Sequence, residues 1–91
     1  MSAAEDLHSH REAIWAFDRR IDTLHLEFDR FRQGKTKIMP DWMRLESELL
    51  AFSRRRIVDT ELSHQLDRVL YKFQNRKKIW LQWVEDYHGA R

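Results

Sequence analysis

Leu7, Ile14, Ile21 and Phe28 recur every seven residues, and His10, Phe17, Leu24 and Phe31 follow three positions after each. Seven of these eight positions are apolar. That spacing puts them on one stripe of a helix, the seam of a bundle or coiled coil. The pattern predicts a first helix over about residues 4–33. Two capping boxes compete for its start, Ser2-x-x-Glu5 and Ser9-x-x-Glu12, and the earlier one keeps Leu7 in the seam. Gly34 is placed to end the helix in the left-handed conformation.

Residues 34–40, Gly-Lys-Thr-Lys-Ile-Met-Pro, break the periodicity and read as a loop. Asp41 can then cap a second helix, with Pro40 stapled onto Leu45. Trp42, Leu45, Leu49 and Phe52 give this helix an apolar face, and it is expected to run over about 41–58. No Gly or Pro marks its end. The break is read from charge: Arg54-Arg55-Arg56 suits a helix C-terminus and Asp59-Thr60-Glu61 a helix N-terminus. Without a break, one helix of roughly 70 Å would need a second chain to cover its far half.

The last helix, about 60–88, carries the widest apolar face: Leu62, Leu66, Val69, Leu70, Phe73, Trp80, Trp83, Val84 and Tyr87. Three helices with two short connections fold as an all-α, antiparallel three-helix bundle, one domain over residues 1–91. The alternative is a long helical hairpin that dimerises. In 91 residues a second core would not fit.

Composition narrows the class. With no Cys, neither a disulfide framework nor a thiolate metal site is available. The amino-terminal residues lack the basic and apolar regions of a secretory leader, and no apolar run exceeds five residues, so no membrane span is expected and a cytoplasmic setting is the default. A net charge of +2 is far from the strong basic footprint of a dedicated nucleic-acid binder.

Catalytic and metal chemistry find little support. His8 and His10 diverge by about 200° on a helix, and all five His residues read as surface or boundary side chains. The Ser residues lack a Gly-rich elbow, and Gly34-Lys35-Thr36 lacks the upstream glycine of a phosphate loop. No cofactor and no metal is expected. Arg32, Asp41, Arg44 and Glu46 loosely resemble the charged positions of small helical chorismate mutases, which would imply an intramolecular rearrangement without a cofactor. The Glu is displaced by one position, however, and Ile21 stands where the first-helix Arg should align. Secreted WXG-type hairpins are similar in length, but the turn Arg32-Gln33-Gly34 lacks their Trp.

The apolar surplus points elsewhere. Trp15 and Leu26 stand eleven residues apart, which returns to nearly the same helical angle, well away from the seam. Ile79 and Leu81 extend the face of the last helix almost around its circumference. Trp is a frequent anchor of interfaces. The reading is a non-catalytic helical interaction module, an adaptor or regulatory subunit, binding a protein partner, itself, or both through Trp15, Leu26, Ile79 and Trp83. The alternative is a nucleic-acid-associated factor using Arg54, Arg55, Arg56, Arg76, Lys77 and Lys78. Two cations, Arg11 and Arg76, stand four residues before Trp15 and Trp80 and are expected to stack on them.

Overall fold

The computed structural model describes residues 3–89, with side chains from Asp6 onward. Among them are three helices, α1 (Ala3–Arg32), α2 (Trp42–Ser53) and α3 (Thr60–Gly89). They form a rod of 56 × 18 × 17 Å. The capping box expected at Ser2 lies outside the described residues.

The seam of α1 is the core of the molecule. Ile14, Phe17, Ile21, Leu24 and Phe28 are buried in one cluster with Leu45, Leu49 and Phe52 of α2 and Leu62, Leu66, Val69, Phe73 and Trp80 of α3, and Phe31 is buried beside Tyr87. His10, the one polar member, is half-buried and sets its ring edge-on to Phe52. The chain runs up, down and up. Asp18 pairs with Lys72, His25 with Trp80, and Phe31 packs on Tyr87, so α1 residue n faces α3 residue n + 54 to n + 56 and these two helices are parallel. Arg20 pairs with Glu48 while His10 meets Phe52, which sets α2 antiparallel to them.

Gly34 adopts φ 78°, and the amides of Gly34 and Lys35 return to the carbonyls of Phe31 and Arg30. This closes the last turn of α1 in the way only a residue free of a Cβ does easily. Asp41 caps α2 through the Arg44 amide at 3.1 Å.

The second helix is shorter than its pattern predicts. It ends at Ser53, not near Val58, and Arg54-Arg55-Arg56 lies in the connection. The last turn tightens: Arg54 and Arg55 donate to carbonyls three residues back, and the Ser53 hydroxyl competes for the Leu50 carbonyl at 2.7 Å. Leaving the helix early lets Ile57 fold back against the core while Val58 stays in solvent. Asp59 then starts α3, its carboxylate accepting from the Leu62 amide at 2.9 Å. Asp59→Ala removes that cap and should cost about 1 kcal/mol, a fall of roughly 4–8 °C in Tm. An unchanged melting curve would mean that the break is held by Ile57 alone.

Because α2 has 12 residues and α1 and α3 have 30 each, α2 covers one side of the long helix pair over less than half its length. The segment 33–41 leads from the end of α1 to α2, with Pro40 buried, and Trp42 opens α2 half-buried. Among the described residues, the opposite side of the α1/α3 pair has no third helix over it.

Candidate functional site: the open α1/α3 face

Five residues, and therefore about 140° of helix, separate Lys72 from Lys77. Lys77 reaches α2, where it pairs with Glu46 at 2.7 Å and lies over the Trp42 ring. Lys72 reaches the other way, between Asp18 and Asp22 of α1 at 3.0 and 2.8 Å. Partial burial alone would push the Lys72 ammonium down; hydrogen bonds to the two carboxylates, with their charges, outweigh it and raise its pKa. The bridge ties α1 to α3 along the open face.

Next to it, toward the carboxyl ends, lies a cluster of aromatic and cationic groups. The Trp80 indole is wholly buried, stacked on Phe28 with ring centroids 4.9 Å apart, and its N–H donates to His25 Nδ1 at 3.0 Å. His25 is thus a neutral acceptor at the edge of the core, a boundary side chain with a specific partner that its position in the sequence does not disclose. Trp83 is half-buried, 5.2 Å from the His25 ring and 4.5 Å from the Arg32 guanidinium, centroid and Cζ respectively. Burial and then the neighbouring Arg76 cation lower the His25 pKa from its ordinary 6.5, against the opposing pull of Asp29 and Asp22.

A proton on Nδ1 would set two donors, imidazolium and indole, against each other. Since the folded-state pKa is below that of the unfolded chain, the unfolded state takes up a proton first as pH falls. The His25 contribution to stability is whole above about pH 6.5. It declines as the pH drops toward the folded-state value and then levels off. Urea midpoints should therefore decrease between about pH 7.5 and 5.5, and less steeply in His25→Gln. An identical slope in that variant would assign the effect to other groups.

The residues proposed from sequence for partner binding fall on this face. Trp15 is 56% exposed, Leu26 64% and Ile79 38%. By the offset between α1 and α3, Leu26, Ile79 and Trp83 share one level, and Trp15 lies roughly 16 Å further down the same side. Trp15 also walls an open groove of ≈ 540 Å³ floored by Ile14 and Val69 and edged by Arg11 and Arg68. The cation on its ring is Arg19, at 4.7 Å, in place of the expected Arg11. The expected Arg76–Trp80 stack does not form, since Phe28 and Phe73 pack against Trp80 and the indole has no exposed face. Arg76 instead has its Nε buried without a hydrogen-bond partner.

The basic residues do not make one track. Arg54, Arg55 and Arg56 sit in the α2–α3 connection, where Arg56 lines a hollow with Leu7 and His10 at the start of α1. Arg76 begins its run sixteen residues into α3, about 24 Å away along the axis. There Lys77 is held by Glu46, and Lys78 points away from both neighbours on the exposed side. The chorismate-mutase-like positions are likewise dispersed. Arg32 pairs with Asp29, Asp41 caps α2, Arg44 pairs with Glu48, and Glu46 with Lys77. Ile21 beneath them is fully buried.

Sequence reasoning missed His25, Lys72, Arg32 and Arg76 as organisers of this face. One signal was available for His25: Asp22 and Asp29 stand three residues before and four after it, which places carboxylates one turn away on either side. The described residues hold no group of three or more acidic or imidazole side chains able to bind a metal, and no helix long and apolar enough to cross a membrane. Compared with family models, curated proteins and solved structures, the chain matches none.

Proposed function

We propose that this chain is a non-catalytic helical interaction module that binds a protein partner through the α1/α3 face turned away from α2. The observation that supports it most is the exposure of Trp15, Leu26 and Ile79 on that face, beside a groove whose floor is core. Single exposed apolar side chains are ordinary. Here an indole and two aliphatic side chains share one side of the pair formed by the two 30-residue helices.

Met43, Leu50 and Leu81 are also exposed, on the α2/α3 side. That face is only as long as α2, about 18 Å, which limits the area it can offer. The cations beside the open face, Arg19 on Trp15 and Arg32 on Trp83, suit a rim in which charged groups surround aromatic anchors.

Affinity capture from a native cell extract tests the reading. Trp15→Asp with Leu26→Asp places two charges at the anchors without touching the core. Partners captured by the parent chain should be lost by the double variant. Undiminished capture would assign binding to another surface.

A further inference from the structure

We infer that the occupant of the α1/α3 face is a second copy of this chain, packed in parallel about a two-fold axis that runs along the groove between α1 and α3; this rests on the face being an interaction surface. The argument is charge complementarity combined with area. Along the middle of the face α1 presents Asp18, Asp22 and Asp29, while α3 presents Arg68, Lys72 and Arg76, each row at one-turn or two-turn spacing. Of the three cations only Lys72 has a carboxylate partner within the monomer: among the described residues neither Arg68 nor Arg76 forms an ion pair. Between the levels of Asp18 and Asp22 the face is thus acidic on α1 and basic on α3, with Arg11 and Arg19 of α1 beside Trp15 and Asp29 held by Arg32, and with unspent positive charge on the α3 side.

Two ways of laying such a face on its own copy keep the helices aligned. With the axis across the helices, α1 lies antiparallel on its own equivalent and α3 on its own. Acid then meets acid and base meets base. With the axis along the helices, α1 of each copy lies on α3 of the other. The offset of 54 between paired levels sets the register: Arg76 meets Asp22 of the second copy, and Arg68 falls at the level of Ile14, beside Trp15 and between Arg11 and Asp18 of the second copy. Each contact occurs twice, as a two-fold axis requires. The guanidinium whose Nε is buried and unpartnered in the monomer is the one that gains a carboxylate.

The area is sufficient. Two helices of 30 residues make a face roughly 45 Å long on a rod 18 Å wide, on the order of 800 Å² per copy, the size at which stable complexes begin. The α2/α3 side offers less than half of that length.

The test uses charge reversal. Sedimentation equilibrium at about 100 µM, where a complex of micromolar Kd is saturated, should return twice the chain mass. Arg76→Glu and Asp22→Arg should each weaken self-association by about tenfold or more, since each alone creates two like-charge contacts. Mixed in equal amounts they should regain a heterodimer near parental affinity. The carboxylate introduced at position 76 of one copy then meets the guanidinium introduced at position 22 of the other, and the second contact is the native pair. Arg76→Glu leaves both carboxylates of the Lys72 bridge in place and Asp22→Arg leaves Asp18 alone, so far-UV circular dichroism and thermal melting check the fold of each. Trp15→Asp, on a side chain outside the core, should weaken the dimer similarly. Single variants that dimerise as tightly as the parent, or a mixture that stays monomeric, overturn the arrangement. A monomeric parent that still captures a cellular protein through Trp15 and Leu26 overturns the second-copy inference and leaves the interaction reading standing. A monomeric parent that captures nothing removes both.

Discussion

Trp80→Ala is expected to lower the stability of the folded chain by about 3–5 kcal/mol, the cost of deleting a large aromatic side chain from a closed core. Trp80 is wholly buried, stacks flat on Phe28, and meets Phe73 edge-on at 5.9 Å. Its removal leaves a void between α1 and α3 at the level of the first turn of α2, where Trp42 packs against the core and the cover given by α2 ends. Little is available there to collapse into the space. For a domain of this size the loss is a large part of the total stability, and Tm should fall by about 20 °C or more. Thermal melting and urea titration measure it directly.

Trp80→Phe separates the two roles of the indole. A phenyl ring keeps the stack on Phe28 but has no N–H for His25. The cost should drop to about 1–2 kcal/mol. Losing the indole donor, which favours the neutral ring, should let His25 titrate higher than in the parent, while burial and then Arg76 still hold it below its ordinary 6.5, which NMR of the imidazole reports. An alanine variant that melts near the parental temperature would contradict the central place of this residue in the core. A phenylalanine variant with an unaltered His25 titration would show the hydrogen bond to be inconsequential.

The architecture was legible because it rests on a regular signal. The heptad of α1 placed Ile14, Ile21, Phe28 and their partners in the core before any contact was known, and the structure buries them. Gly34 and Asp41 marked the first connection through backbone chemistry, left-handed φ at one and a free carboxylate at the other. The second connection was legible only as a reversal of charge. Its start falls earlier than the pattern predicts: Ile57 and Val58, a short apolar run four polar residues beyond Phe52, read as the last turn of α2, which ends at Ser53. Whether such a run is helical depends on whether Ile57 reaches the core better from an extended segment, a tertiary fact.

The site was partly legible. Helical angle alone put Trp15 and Leu26 on a second stripe, and the structure leaves both exposed. Angle could not foretell which flank of α1 is left bare, since that depends on the side to which α2 returns. Nor could spacing within one helix find the partners that come from another. Trp83 is covered by Arg32 and His25 of α1, more than fifty residues earlier in the chain. The expected Arg76–Trp80 pair failed for a related reason: Phe28 of α1 claims the indole face first.

Trp15 and Trp83, one residue type on one face, should respond oppositely to the same change. Trp83→Asp sets a carboxylate where an indole packs against the core beneath Arg32 and beside His25. Burying that charge and losing the packing should cost about 2–3 kcal/mol, and binding would fall along with folding. Trp15→Asp changes a side chain more than half exposed, whose only close neighbour among the cations is Arg19. Its effect on stability should remain within about 0.5 kcal/mol, while an anchor of this kind is worth about 2 kcal/mol or more to a complex, thirtyfold in Kd at about 25 °C. With Leu26→Asp added, roughly 11 residues away on the same stripe, binding should drop by more than about a hundredfold with the melting curve unmoved. The diagnostic result is that separation of binding from folding. If Trp15→Asp unfolds the chain as Trp83→Asp does, the indole belongs to the core. If it alters neither folding nor association, the open face carries no partner.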